Sequence, residues 1–90
     1  MPYEILVLPS ADRDIRRLSK SPHALRSAIR TAIDGLADSP RPPRAKRLTD
    51  AEDLYRIRVR DWRVIYKVDD EGNTVIIAHV RHRKEAYRRV

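Results

Sequence analysis

Ninety residues with an apolar fraction of 41% are enough for one small core, so residues 1–90 are expected to form one domain. The absence of cysteine excludes disulfides and thiolate-bound metal, and no apolar run approaches the ~20 residues that a membrane-spanning helix needs. A net charge of +7 and a pI near 10.4 point to a polyanionic partner, usually nucleic acid.

The chain opens with "MPYEILVLPS", which lacks a basic n-region and meets Pro9 after a short apolar run. No targeting segment is therefore expected, and the protein is placed in the cytoplasm with no membrane partner. Residues 3–8 read as a strand ended by Pro9. A helix follows over "PSADRDIRRLSK", with Ser10 as its cap and Asp12 and Asp14 near its positive N-terminal end. Ala11, Ile15 and Leu18 share one face of it. Ser21 and Pro22 restart a helix as cap and first helical residue. Its stripe is Leu25, Ile29, Ile33 and Leu36, and Pro40 stops it. The two helices form an αα-hairpin.

"SPRPPRAK", 39–46, is a proline-rich connector, and "KRL", 46–48, has room for a short strand. Three strands follow, over 54–60, 62–68 and about 74–81. "VDDEGN" makes the last hairpin turn, with Gly72 and Asn73 able to take positive φ. The run Val75 to Ala78 suits a strand covered on both faces. The tail "HRKEAYRRV" ends in a short helix or tail. The expected fold is α+β, an N-terminal strand and αα-hairpin packed on one face of a mainly antiparallel four-stranded sheet.

In the strand "LYRIRVR", Tyr55, Ile57 and Val59 should face the helices, while Arg56, Arg58 and Arg60 leave the other face together. Arg63 comes just after the turn. Coding bias would raise arginine everywhere, whereas a site concentrates it. The second half holds 12 of the 20 basic residues, five of them in the last twelve positions. Other chemistry is thin. Gly35 and Gly72 cannot make a phosphate loop, and His23, His79 and His82 have no metal-ligand spacing. Asp69, Asp70 and Glu71 read as a solvated turn, so no metal and no cofactor are expected. Arginine and tyrosine remain. Guanidinium forks match phosphate oxygens, and a tyrosine ring can stack on a base. Composition alone reads the Tyr87 cluster equally well as a solvated basic tail.

The ordered combination "Y-R-I-R", "W-R-V-I-Y-K-V", an acidic turn, "V-I-I-A-H-V" and "H-R-K-E-A-Y-R-R" resembles the RelE branch of the RelE/ParE toxin superfamily. The resemblance covers nearly the whole chain. It implies the toxin of a type II toxin–antitoxin system, an mRNA endoribonuclease working in the ribosomal 30S A site. There the substrate 2′-hydroxyl attacks the adjacent phosphate and leaves a 2′,3′-cyclic phosphate. A cognate RelB-like antitoxin, bound in a hetero-oligomer, is also implied.

By motif position, the resemblance assigns Arg63 and Arg81 to the scissile phosphate and Tyr87 to orienting the base and moving a proton. Arg56 and Arg58 stand where relatives carry lysine. An arginine essentially cannot give up its proton, so these two should act as electrostatic stabilisers and the base should be Tyr87, with His79 and His82 behind it. Arg60, Arg83, Lys84, Arg88 and Arg89 are expected to contact RNA. Two other readings stay open: a ParE-like inhibitor of DNA gyrase on the same fold, and an RNA-binding module without catalysis.

Overall fold

The computed structural model describes residues 2–49 and 53–84. In chain order these form β1 (Glu4–Val7), α1 (Pro9–Arg17), a 3-10 turn (Leu18–Lys20), α2 (His23–Gly35), β2 (Lys46–Thr49), β3 (Leu54–Val59), β4 (Trp62–Asp69) and β5 (Thr74–His82). The sheet order is β1-β5-β4-β3-β2. Only β1 and β5 run parallel. The sheet thus has five strands rather than the expected four. The difference arises at the end of the proline-rich connector, where Lys46 and Arg47 pair with Arg56 and Tyr55 and close the β3 side of the sheet.

Both helices start without a side-chain cap, contrary to expectation. In α1 the cap is the extended Leu8, and Pro9 takes the first helical position, where a missing N–H costs nothing. Ser10 is left free for another bond, described below. In α2 the cap is Pro22, not Ser21, and the N–H groups of Leu25 and Arg26 both donate to the Pro22 carbonyl. The helix ends at Gly35, well before Pro40. Turn bonds close the segment after it, among them Ser39 N–H to the Gly35 carbonyl at 3.1 Å.

The core lies between the helices and one face of the sheet. Tyr55, Ile57 and Val59 of β3, Val64, Tyr66 and Val68 of β4, and Val75, Ile77 and Val80 of β5 are all buried. They pack with Ala11, Leu18, Ile29, Ile33 and Leu36 from the helical layer. Each fully buried aliphatic side chain contributes roughly 1.5–3 kcal/mol. The run Val75 to Ala78 is not covered on both faces, since Ile76 and Ala78 stay half-exposed.

A polar network pins the connector across the far end of this layer. The Tyr66 hydroxyl donates to the Pro40 carbonyl at 2.7 Å. Burial pushes the Tyr66 phenol up to about 12, so it stays a donor. Arg41 donates from Nε to the Tyr55 hydroxyl at 2.8 Å and from its two terminal nitrogens to both oxygens of Asp70. The Tyr3 hydroxyl also donates to Asp70, at 2.6 Å. With the bond from Arg41, it holds the Asp70 carboxyl below the usual carboxylate range. These contacts tie the residue before β1, the connector, β3 and the β4–β5 turn together.

Candidate functional site

The face of the sheet away from the core carries the cations. Opposed residues in neighbouring strands point to the same side. Arg58 of β3 is opposite Arg63 of β4, and Arg63 is opposite Arg81 of β5. Three arginines therefore form one row across three strands. The next row holds Lys46, Arg56, Ile65 and His79. Like charges directly opposite each other destabilise a sheet, a cost that the Asp14 carboxylate beside Arg81 offsets in part.

A one-residue bulge makes the row. Ile65 is opposite His79 but Tyr66 is opposite Ile77, so Ala78 is an extra residue in β5. Ile77 faces the core, and strict alternation would send Arg81 to the same side. The bulge inverts the alternation, so Val80 enters the core and Arg81 joins Arg63 on the other face.

Helix α1 supports the site from the edge. Pairing between β1 and β5 stops at Val7 and Ile77. Beyond it, side chains of α1 take the place of a strand. The Ser10 hydroxyl donates to the Ala78 carbonyl at 2.7 Å, and Val80 N–H donates to the Asp14 carboxylate at 3.0 Å. The same Asp14 oxygen accepts from Arg81 Nε at 3.4 Å and lies 3.6 Å from His79 Nδ1. Asp14 is buried, at 6% exposure. An arginine can only donate, so the 3.0 Å contact from Arg81 to His79 Nδ1 makes that nitrogen an acceptor. Arg81 is thus held between a carboxylate and an imidazole whose basic nitrogen is already engaged.

The sequence-predicted residues fare differently. Arg63 is 5% exposed, deeper than a surface cation, while Arg58 is exposed and Arg56 half-buried. Arg60 does not share the strand face. It sits in the two-residue turn between Val59 and Trp62, with φ of 58°. Type II′ hairpin turns place glycine at that position, so β3 ends one residue earlier than expected. Arg83 and Lys84 are exposed beyond β5. His82 packs edge-on against Trp62, and its Nδ1 accepts from Lys84 N–H at 3.3 Å. Tyr87, Arg88 and Arg89 lie outside the described residues. Asp14 was missed as a site residue, since near a helix start an aspartate reads as dipole compensation. Among the described residues no cluster of three His, Cys, Asp or Glu could hold a metal, and no helix is long and apolar enough to cross a membrane.

A family model described as the ParE toxin of type II toxin–antitoxin systems, parDE, matches residues 5–87. The chain belongs to the RelE/ParE toxin superfamily. Toxin RelG of Mycobacterium tuberculosis (strain ATCC 25618 / H37Rv) is 30% identical to this RelE/ParE toxin over 89 residues, covering 99% of this chain and 100% of RelG. Toxin RelE of the same organism is 32% identical over 87 residues, covering 97% of this chain and 88% of its own length. Among solved structures, the toxin–antitoxin complex RelBE2 from Mycobacterium tuberculosis matches with a TM-score of 0.75 and 27% identity, over 91% of this chain and 99% of the other. The two helices on a mostly antiparallel sheet are thus the RelE-like fold, and the protein is the toxin component of a type II toxin–antitoxin system.

Proposed function

We propose that this toxin is a ribosome-dependent mRNA endoribonuclease that uses the substrate's own 2′-hydroxyl. In this reaction the 2′-oxygen attacks the adjacent phosphorus, the 5′-oxygen leaves, and the products are a 2′,3′-cyclic phosphate and a 5′-hydroxyl end. No metal is needed in this scheme, because the protein supplies alignment, charge and proton transfer. The observation that carries the reading is the row Arg58–Arg63–Arg81, fixed by strand register. Arg63, buried, and Arg81, braced by Asp14 and His79, would grip the scissile phosphate and stabilise the charge that builds on it. Arg56 and Arg58 add positive potential and cannot act as bases. His79 has its Nδ1 occupied by Arg81, and His82 lies against Trp62 on the core side, so proton abstraction falls to Tyr87. A RelB-like antitoxin is the proposed partner, since solved relatives include the RelBE2 toxin–antitoxin complex.

One observation favours a second reading, a ParE-like inhibitor of DNA gyrase: the matching family model is described as the ParE toxin. Brief expression of the toxin in cells separates the two. An endoribonuclease leaves new mRNA 3′ ends within translated codons and intact chromosomal DNA. Gyrase-linked DNA breaks with intact mRNA would reverse the assignment.

A further inference from the structure

The arginines of the connector and of β2 fall into two sets. Arg41 and Arg47 are bound to the carboxylates of Asp70 and Asp53. Arg44, three residues from each, has no ion pair or hydrogen bond among the described residues, and neither do Arg58 and Arg60. All three are exposed, and all three line one groove of about 570 Å³ between α2 and the end of β3. The groove exists because β2 pairs with β3 only as far as Lys46 and Arg56, leaving the edge of residues 57–59 uncovered by a strand. Its floor includes Ala28, Ala32 and Gly35, one face of α2 at i, i+4 and i+7. Among the described residues no carboxylate lines it.

Arg58 belongs both to this groove and to the row with Arg63 and Arg81. A polyanion that leaves the row past Arg58 therefore meets the groove next. Arg60 is held at its mouth by a left-handed backbone conformation, φ 58°, that costs a non-glycine residue ~1–2 kcal/mol. We propose that this groove is a second RNA subsite. It takes a nucleotide flanking the scissile phosphate, with a backbone phosphate on Arg44 and Arg60 and the base or ribose over the small-residue floor. The subsite deepens the endoribonuclease reading and rests on it for the identity of the polyanion. An acidic protein segment is the competing occupant, but continuity with the arginine row favours the nucleic acid.

The test uses a single-stranded RNA oligonucleotide with 2′-deoxy sugars at its possible cleavage points, so that it binds without being cut. Affinity is measured across salt for the parent, for the double variant Arg44→Ala/Arg60→Gly, and for Gly35→Glu. A Cβ built at Gly35 meets nothing within 4 Å, so a glutamate there places bulk and negative charge in the groove without disturbing the core. Ser19→Glu, on the exposed 3-10 turn, controls for net charge. Losing two phosphate contacts should weaken binding on the order of tenfold and reduce the salt slope by about 1.4, taking about 0.7 per contact for a single strand. Gly35→Glu should weaken binding clearly more than Ser19→Glu.

Parental affinity and slope in the double variant would overturn the subsite while leaving the endoribonuclease reading intact if the parent still cuts mRNA. The binding losses in a parent that never cuts mRNA would keep the subsite and remove the enzyme. A double variant that binds RNA normally but loses an acidic antitoxin peptide would show the groove to be a protein-docking surface and refute the proposal.

Discussion

Asp14→Ala is the most informative single change outside the arginines. The carboxylate accepts from the N–H of Val80, a residue 1% exposed, at 3.0 Å. Alanine leaves that amide without an acceptor in a place water does not reach. Losing a hydrogen bond to a charged group costs ~1.5–3 kcal/mol. The mutation also removes the negative charge beside Arg81, at 3.4 Å. In a chain of this size each kcal/mol corresponds to ~4–8 °C, so Tm should fall by ~6–24 °C. Asparagine can still accept from Val80, so Asp14→Asn should lose only ~1 kcal/mol, near the net value of an ordinary hydrogen bond. Urea unfolding followed by circular dichroism gives both values. If Asp14→Ala unfolds within ~0.5 kcal/mol of the parent, a surface-mutation effect, the carboxylate does not brace the edge of β5 as described. A folded Asp14→Asn that cuts mRNA more slowly, with RNA binding largely kept, would mark Asp14 as a positioning residue for Arg81.

Three further outcomes follow from the same contacts. Arg60→Gly should raise stability by ~0.5 kcal/mol, because glycine avoids the left-handed penalty but gives back some chain entropy; a Tm below the parent's would contradict the turn geometry. The Tyr66 phenol is raised from 10.0 to about 12, so the neutral form favours the fold. Its contribution is whole below pH 10 and is lost as pH rises from 10 to 12. Tyr66→Phe should therefore remove part of the alkaline loss of stability, and alkaline unfolding curves that superimpose on the parent's would contradict this. The Asp70 carboxyl is lowered by Arg41 and Tyr3, so its contribution is present above the ordinary carboxylate range and fades as pH falls through it. Asp70→Asn should flatten the acid limb of the stability curve, and an unchanged acid limb would show the connector clamp to be idle.

Much of this molecule could be read from its residues. The period-two alternation of Tyr55, Ile57 and Val59 against Arg56 and Arg58 fixed which face would be buried, and the sheet places them so. The stripe Ile29, Ile33 and Leu36 likewise marked the buried face of α2. What escaped the sequence was non-local. The bulge at Ala78 leaves no local signature, since "VIIAHV" reads as unbroken strand, yet it decides which way Arg81 points. Arg60 has the side chain of a strand cation but occupies a turn position that favours glycine, so pattern alone extended the strand one residue too far. A short strand at 46–48 was legible after the prolines, but its place as the fifth strand of the sheet was not, because that is defined by its pairing with β3. Asp14 became visible only when α1 was seen to run beside the uncovered edge of β5.

The central claim is that the row Arg58–Arg63–Arg81 grips the phosphate that is cut. Single-turnover cleavage of an mRNA in a programmed ribosome tests it directly, comparing the parent with Arg63→Ala and Arg81→Ala. The account predicts 2′,3′-cyclic phosphate ends from the parent and a fall of ~10²–10³-fold in each variant, as for loss of a transition-state donor. Both variants cutting at the parental rate would contradict it.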